Sequence, residues 1–267
     1  MKIPCVALVY AQFDVMTQSI ESFDTDEMAI TVVENPSLIT LGKSMPFFLE
    51  MLKDKKIEQY FLFHDNIRFN AIETVFRDGQ INLSNSDYVI TTDADIVVGS
   101  EHIQEQKNIL ESEPDIFCCS VQIDFSGYPS EGYNSAQRWF PPRIKETNLY
   151  IAMQGYGHHL NMFRKKDLMD FFTYLKTHKK SYVDSELMEY ILNRDNKLWA
   201  ITCNNLGKHL TPALERNLNE TFYLWSRNTK DQNSLWKHSN YSGYTKFQLE
   251  AGEITCRVFE GIKNENC

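Results

Sequence analysis

The sequence predicts an α/β fold in which a mainly parallel central sheet is flanked by helices and followed by an irregular C-terminal extension. Three observations carry that expectation. Short apolar, β-branched runs alternate with amphipathic segments over about the first 200 residues, the order that builds βαβ units and a sheet covered on both faces. Polar and acidic residues gather where the strand-like runs stop, at Tyr10, Glu34, residues 64–70 and Asp93 to Asp95, and ligands of such sheets bind outside the carboxyl ends of the strands. The stretch from Asp87 to Val98 reads as a buried strand yet carries Asp93 and Asp95, whose i, i+2 spacing puts both on one side of an extended backbone.

Taken in order, residues 3–13 read as the first strand and 15–23 as a helix with apolar or small residues at Val15, Ser19, Ile20 and Phe23. Residues 28–33 form a second strand stopped by Pro36. Ser37 caps the next helix, whose apolar positions are Leu38, Leu41, Met45, Phe48, Leu49 and Leu52, with a break or restart at Pro46. Residues 60–63 are a third strand, 64–70 a polar loop, 71–76 a helix and 88–92 the central strand. A helix over 102–113 is stopped by Pro114, and 116–125 is another strand.

Residues 127–148 form a long irregular segment rich in aromatic and cationic side chains, among them Tyr128, Arg138, Trp139, Arg143 and Lys145. It reads equally as a ligand-facing loop or as a lid packed on its own aromatics. Residues 149–163 have strand character and contain Gly155-Tyr156-Gly157-His158-His159. Adjacent histidines on a strand face opposite ways, so at most one is expected to face the cleft and the two should not share a metal. Helices follow over 165–176 and 183–194, then a final strand over 198–203. The domain expectation is a catalytic unit over 1–210 and an extension over 211–267 that packs on or covers the active site.

Composition narrows the function classes. With 267 residues and 42% hydrophobic content the chain can bury a full core, and a net charge of −9 argues against an extended nucleic-acid footprint. No apolar run approaches the roughly 18 residues that cross a bilayer. The first ten residues read as a strand, not a signal peptide. The expected location is cytoplasmic, with peripheral contact at the inner face of the membrane left open by the aromatic C-terminal region. The six cysteines are scattered without a Cys-x-x-Cys pair and read as reduced packing residues.

Two carboxylates in an otherwise apolar strand require an explanation, because an unpaired buried carboxylate costs several kcal/mol or takes up a proton. A divalent cation answers it: Mg²⁺ and Mn²⁺ take hard oxygen ligands, completed by phosphate and water. The same triplet also occurs where a strand simply ends in a turn.

The order of these signals resembles the GT-A fold glycosyltransferases, with their Rossmann-like sheet, and in particular the inverting family 2 enzymes of bacterial surface polysaccharide synthesis. The resemblance covers about the first 210 residues. Val33-Glu34-Asn35-Pro36-Ser37 looks like that family's strand-end acid near the nucleotide base, and residues 63–70 like its Asn-containing loop before a helix. Tyr88-Val89-Ile90-Thr91-Thr92-Asp93-Ala94-Asp95 matches its metal-binding Asp-x-Asp strand. Val183-Asp184-Ser185-Glu186-Leu187 sits where the family opens a helix with an acidic pair, here split by Ser185. Lys208-His209-Leu210-Thr211 resembles a segment whose histidine completes the metal site in some members.

The resemblance implies Mn²⁺ or Mg²⁺ on Asp93, Asp95 and His209. It implies donor contacts from Val9, Tyr10, Glu34, Asn66, Arg68, Asn70, Asp93 and Ala94, and a general base in Asp184 or Glu186. Arg216, Arg227 or Lys230 could close over the phosphates. The implied donor is a nucleoside-diphosphate sugar, UDP- or GDP-linked, and the implied acceptor a glycan or a lipid-linked molecule. Two other readings stand beside it: a nucleotidyltransferase, which lacks its glycine-rich loop after the first strand, and a non-catalytic sugar- or partner-binding protein of the same fold.

Overall fold

A computed structural model describes residues 1–10, 12–37, 42–124, 143–194, 196–210 and 241–261. Seven consecutive buried residues make β1 (Ile3–Val9), the strand about which the sheet is laid. It pairs in parallel with β2 (Met28–Glu34) on one side and β4 (Tyr88–Asp93) on the other, and β3 (Gln59–Phe63) pairs in parallel with β2. Beyond β4 lie β9 (Asn161–Arg164), β6 (Ile116–Asp124), β10 (Leu198–His209), β8 (Tyr150–Met153) and β7 (Arg143–Glu146), with β6 and β10 again parallel and the other neighbours antiparallel. A two-residue strand, β5 (Ile96–Val97), pairs antiparallel with the end of β10. In the C-terminal extension a hairpin of β11 (Gly243–Glu250) and β12 (Glu253–Glu260) adds to the outer edge of β3.

The alternation of side chains along β1 divides the core. Cys5, Ala7 and Val9 face the helices α1 (Phe13–Ser22), α2 (Ser44–Lys53) and α4 (Ser100–Ser112), meeting Met16, Ile20, Phe48, Leu52 and Ile103. Val6 and Leu8 face α3 (Asn70–Arg77), α5 (Lys165–His178) and α6 (Asp184–Leu192), meeting Ile72, Val75, Phe171 and Leu187. Both faces of the sheet are therefore covered, as the near-continuous apolar runs require. No described helix is long and apolar enough to cross a membrane. Cys5, Cys118, Cys119, Cys203 and Cys256 are free thiols.

The first strand ends at Val9 rather than 13, β7 lies inside the segment expected to be irregular, and the hairpin β11–β12 lies in the extension expected to be irregular. Three further departures have a physical reason. The second helix begins at Ser44, with Pro46 in its first turn, where a missing N–H leaves no bond unmade; residues 38–41 lie outside the described ones. The single strand expected over 149–163 is two, β8 and β9, separated by a non-strand loop at 154–160. The strand expected to stop at 203 runs on to His209 as β10.

That last extension depends on Glu105 of α4. Its carboxylate accepts the backbone N–H groups of Cys203, Asn204 and Asn205, at 2.9, 2.9 and 3.0 Å, and the side-chain amides of both asparagines. Those bonds satisfy an irregularity in the β6–β10 register between Ile201 and Leu206, after which pairing resumes. Gly207 makes the resumption tight, since a Cβ there would lie 2.7 Å from Val121 and 2.9 Å from Ile96. Replacing Glu105 by Ala is expected to cost about 2–4 kcal/mol, the scale of several lost hydrogen bonds to a charged acceptor, read as a fall in the denaturant midpoint, whereas Glu105→Gln should cost less.

Candidate active site

The candidate site is built where β1, β2 and β4 end. Asp93 closes β4; its N–H donates to the carbonyl of His158 at 3.2 Å, and the N–H of Ala94 donates to Leu8 at 3.0 Å. The turn carrying the acidic pair is thus clasped between β1 and the 154–160 loop. β5 then sets Ile96 opposite His209 on β10, and the N–H of Leu210 donates to the carbonyl of Asp95 at 2.8 Å. This register brings His209 Nε2 to 3.2 Å from Asp95 Oδ2.

A third group joins them from the 154–160 loop. One ligand atom each of Asp95, His159 and His209 lie within 4.8 Å of one another. The His159 ring stands edge-on to His209, with centroids 5.2 Å apart, and edge-on to Tyr156 at 5.6 Å. It lies over Gly157, where an added Cβ would come within 2.4 Å of His159 Nε2. Glycine at 157 is what makes room for that ring. The loop is fixed on both sides: Val121 N–H donates to the His159 carbonyl at 3.0 Å, Leu160 N–H to Thr92 Oγ1 at 3.1 Å, and Gln106 Nε2 to the Leu160 carbonyl at 2.6 Å. Leu160 itself sits in the left-handed region, with φ of 50°, turning the chain from His159 into β9.

The electrostatics of this cluster favour a cation. Burial, with the charges of Asp95 and Asp184 adding to it, pushes the Asp93 carboxyl well above the usual carboxylate range. Burial, helped by His209, pushes His159 down to about 4, so its imidazole is neutral at physiological pH and keeps a lone pair. His159 Nδ1 is buried and has no hydrogen-bond partner among the described residues. A carboxylate and two imidazoles, one carrying an orphaned ring nitrogen, fit a divalent transition metal.

The expectation of two histidines on one strand is corrected here. Both lie in the 154–160 loop, and they part as follows: His159 turns to Asp95 and His209, whereas His158 Nδ1 lies 3.3 Å from Asp184 Oδ1. Asp184 opens α6, and its side chain is 40% exposed. Glu186 is tied instead to Lys180, 2.8 Å away. Asn70, at the start of α3, accepts the N–H of Tyr182 at 3.1 Å and so holds the approach to Asp184.

At the ends of β1 and β2, Tyr10 hydrogen-bonds the Asn66 side chain and feels the charge of Arg68. Asn35 organises that loop, its Oδ1 accepting Ile67 N–H at 3.1 Å and its Nδ2 donating to the Arg68 carbonyl at 3.0 Å. Arg68 is held at φ of 56°, a conformation that non-glycine residues seldom adopt away from a constrained site. Three other expected donor contacts point elsewhere. The side chains of Val9 and Ala94 are buried in the core, and the Glu34 carboxylate accepts the hydroxyls of Ser44, at 2.6 Å, and Tyr60. Arg216, Arg227 and Lys230 lie outside the described residues, as do Tyr128, Arg138 and Trp139.

The mixed sheet covered on both faces has the GT-A fold. The chain shares it with GalNAc-T7, solved with UDP, GalNAc and Mn²⁺, at TM-score 0.54 and 10% identity over 78% of this chain and 43% of that one. It shares it also with the mannosyltransferase PcManGT from Pyrobaculum calidifontis, solved with GDP-Man and Mn²⁺, at TM-score 0.50 and 11% identity over 79% and 57%. No protein-family model matches the sequence. In sequence the chain is similar to uncharacterised proteins of Acanthamoeba polyphaga mimivirus: one is 31% identical over 241 residues, covering 85% of this chain and 49% of the relative. A second is 27% identical over 263 residues, covering 96% and 35%. The chain therefore spans about half the length, or less, of these curated relatives.

His159→Ala is expected to weaken Mn²⁺ binding by more than the roughly tenfold to hundredfold typical of losing a supporting group, measured by titration calorimetry. Gly157→Ala should weaken it as well without removing any ligand, by displacing the His159 ring.

Proposed function

We propose that this chain is a metal-dependent glycosyltransferase that moves a sugar from a UDP- or GDP-linked donor to a hydroxyl of a glycan or lipid-linked acceptor, with inversion at the anomeric carbon. The observation that carries the reading is the meeting of Asp95, His159 and His209 within 4.8 Å at the carboxyl ends of the parallel strands, beside Asp93 and near Asp184. The fold shared with proteins solved with Mn²⁺ and UDP or GDP-Man supports it.

Asp95, His159 and His209 would hold the ion, and two imidazoles beside one carboxylate suit Mn²⁺ better than Mg²⁺, which takes oxygen ligands. A bound divalent ion supplies a Lewis acid that offsets the charge gathering on the departing diphosphate. Tyr10, Asn66 and Arg68 line the nucleoside end of the cleft, and Asp93 faces the sugar diphosphate. Asp184 is the general base: it takes the proton of the acceptor hydroxyl as that oxygen bonds the anomeric carbon and the bond to the diphosphate breaks. Its open carboxylate suits that role better than Glu186, which is committed to Lys180.

Binding of UDP, GDP, dTDP and CMP, with and without Mn²⁺, tests the donor class. One nucleoside diphosphate should bind only with the metal, and Asp95→Asn should abolish that binding. Asp184→Asn is expected to keep nucleotide binding and to lower transfer by about 10²–10⁴, while Glu186→Gln stays within a few fold. Wild-type protein that binds none of the four under any condition contradicts the reading, and Asp184→Asn transferring as fast as wild type removes the base from it.

A further inference from the structure

Asp184 is backed by a buried line of hydrogen bonds for which metal and donor binding have no use. Thr91 Oγ1 lies 2.7 Å from Tyr182 Oη, Tyr182 Oη lies 3.1 Å from His158 Nε2, and His158 Nδ1 lies 3.3 Å from Asp184 Oδ1. Thr91, Tyr182 and His158 are all at least 97% buried, at 0%, 1% and 3% exposure. The imidazole is clamped between rings, with Phe69 at 5.3 Å and Tyr182 at 5.1 Å between centroids. Only the last member of the line opens to the cleft.

We propose that His158 is a positioning residue: held by the Thr91–Tyr182 hydroxyls in the tautomer with its proton on Nδ1, it donates to Asp184 and aims that carboxylate at the acceptor hydroxyl. The inference rests on the glycosyltransferase reading for what Asp184 does. Its direction follows from counting protons. An ionised carboxylate only accepts, so the nitrogen facing it must carry hydrogen. In a neutral imidazole the other nitrogen then accepts, and the Tyr182 O–H donates a hydrogen bond to Nε2. The Tyr182 oxygen in turn accepts from the Thr91 hydroxyl. The opposite tautomer would set a ring lone pair against the Asp184 carboxylate.

The rival contact to Nδ1, from Asn161 Nδ2, is at 3.5 Å, the outer limit of a hydrogen bond, while Asn161 Oδ1 takes the Ser120 hydroxyl at 2.5 Å. Because the His158 side chain is 2% exposed against 40% for Asp184, an acceptor reaches the carboxylate and not the ring.

The test uses the whole chain with ¹⁵N-labelled histidine and, in parallel, turnover of UDP-glucose, UDP-GalNAc and GDP-mannose in Mn²⁺. The His158 nitrogens should report the Nδ1–H tautomer, and Tyr182→Phe should mix in the other. His158→Ala should lower kcat about tenfold to a hundredfold, the usual cost of losing a supporting group, with the donor KM within about twofold. His158→Asn, whose amide nitrogen is as many bonds from Cα as Nδ1, should recover most of that loss; His158→Gln, whose amide matches Nε2, should not. An Nε2–H tautomer in the wild type, or equal recovery by Asn and Gln, overturns the proposal, as does an unchanged kcat in a folded His158→Ala. A wild type that binds Mn²⁺ but turns over none of the donors overturns the glycosyltransferase reading, and the proposal falls with it.

Discussion

The constraint on which this structure depends is the crowding of negative charge at the carboxyl end of β4. Asp93, Asp95 and Asp184 face one region, and desolvation there already drives Asp93 well above its ordinary pKa. Like charges drawn together in a poorly hydrated cleft raise the free energy of the fold unless something cationic or protonated offsets them. Histidines stand beside these carboxylates as neighbours. His209 sits 3.2 Å from Asp95, and His158 sits 3.3 Å from Asp184. His159 contributes no charge and leaves a lone pair. A site that raises the Asp93 carboxyl and keeps the His159 imidazole neutral beside Asp95 is suited to a divalent cation and to the anionic diphosphate that such a cation binds.

The 154–160 loop is the organiser of that chemistry. Its backbone accepts from Asp93 and Val121, its side chains reach both Asp95 and Asp184, and Leu160 turns at φ of 50° to send the chain into β9. One short segment therefore sets the distance between the cluster that would hold the leaving group and the carboxylate that would take the proton. Antiparallel pairing of β9 with β4 and β6 anchors its far end in the sheet. Glu105 does the corresponding work for β10, fastening the irregular stretch that carries His209 into reach.

Much of the fold was legible because local signals and global fold agree. The apolar runs of β1, β2 and β4 and the helices α1, α3, α5 and α6 are present where the sequence puts them, with boundaries off by a few residues. Asp93 and Asp95 stood out because a carboxylate inside an apolar strand needs a reason. Two things were hidden. The end of β10 contains Asn204, Asn205 and Gly207, which read as a loop, and only a carboxylate on a distant helix makes it a strand. A strand through His158 and His159 allows at most one of them to face the cleft without saying which; Gly155 and Gly157 are the sequence signal that the backbone bends there instead. Glu34, expected at the donor base, instead serves the packing between α2 and β3, where Ser44 and Tyr60 hydrogen-bond it.

The central claim is that Asp95, His159 and His209 hold one divalent ion. Pulsed electron paramagnetic resonance of the Mn²⁺-loaded chain tests it most directly, because coupling to ring nitrogen is seen only from directly bound imidazole. The account predicts nitrogen modulation from two imidazoles, reduced to one in His159→Ala and in His209→Ala. A manganese spectrum without nitrogen coupling, or one that neither substitution alters, would contradict it.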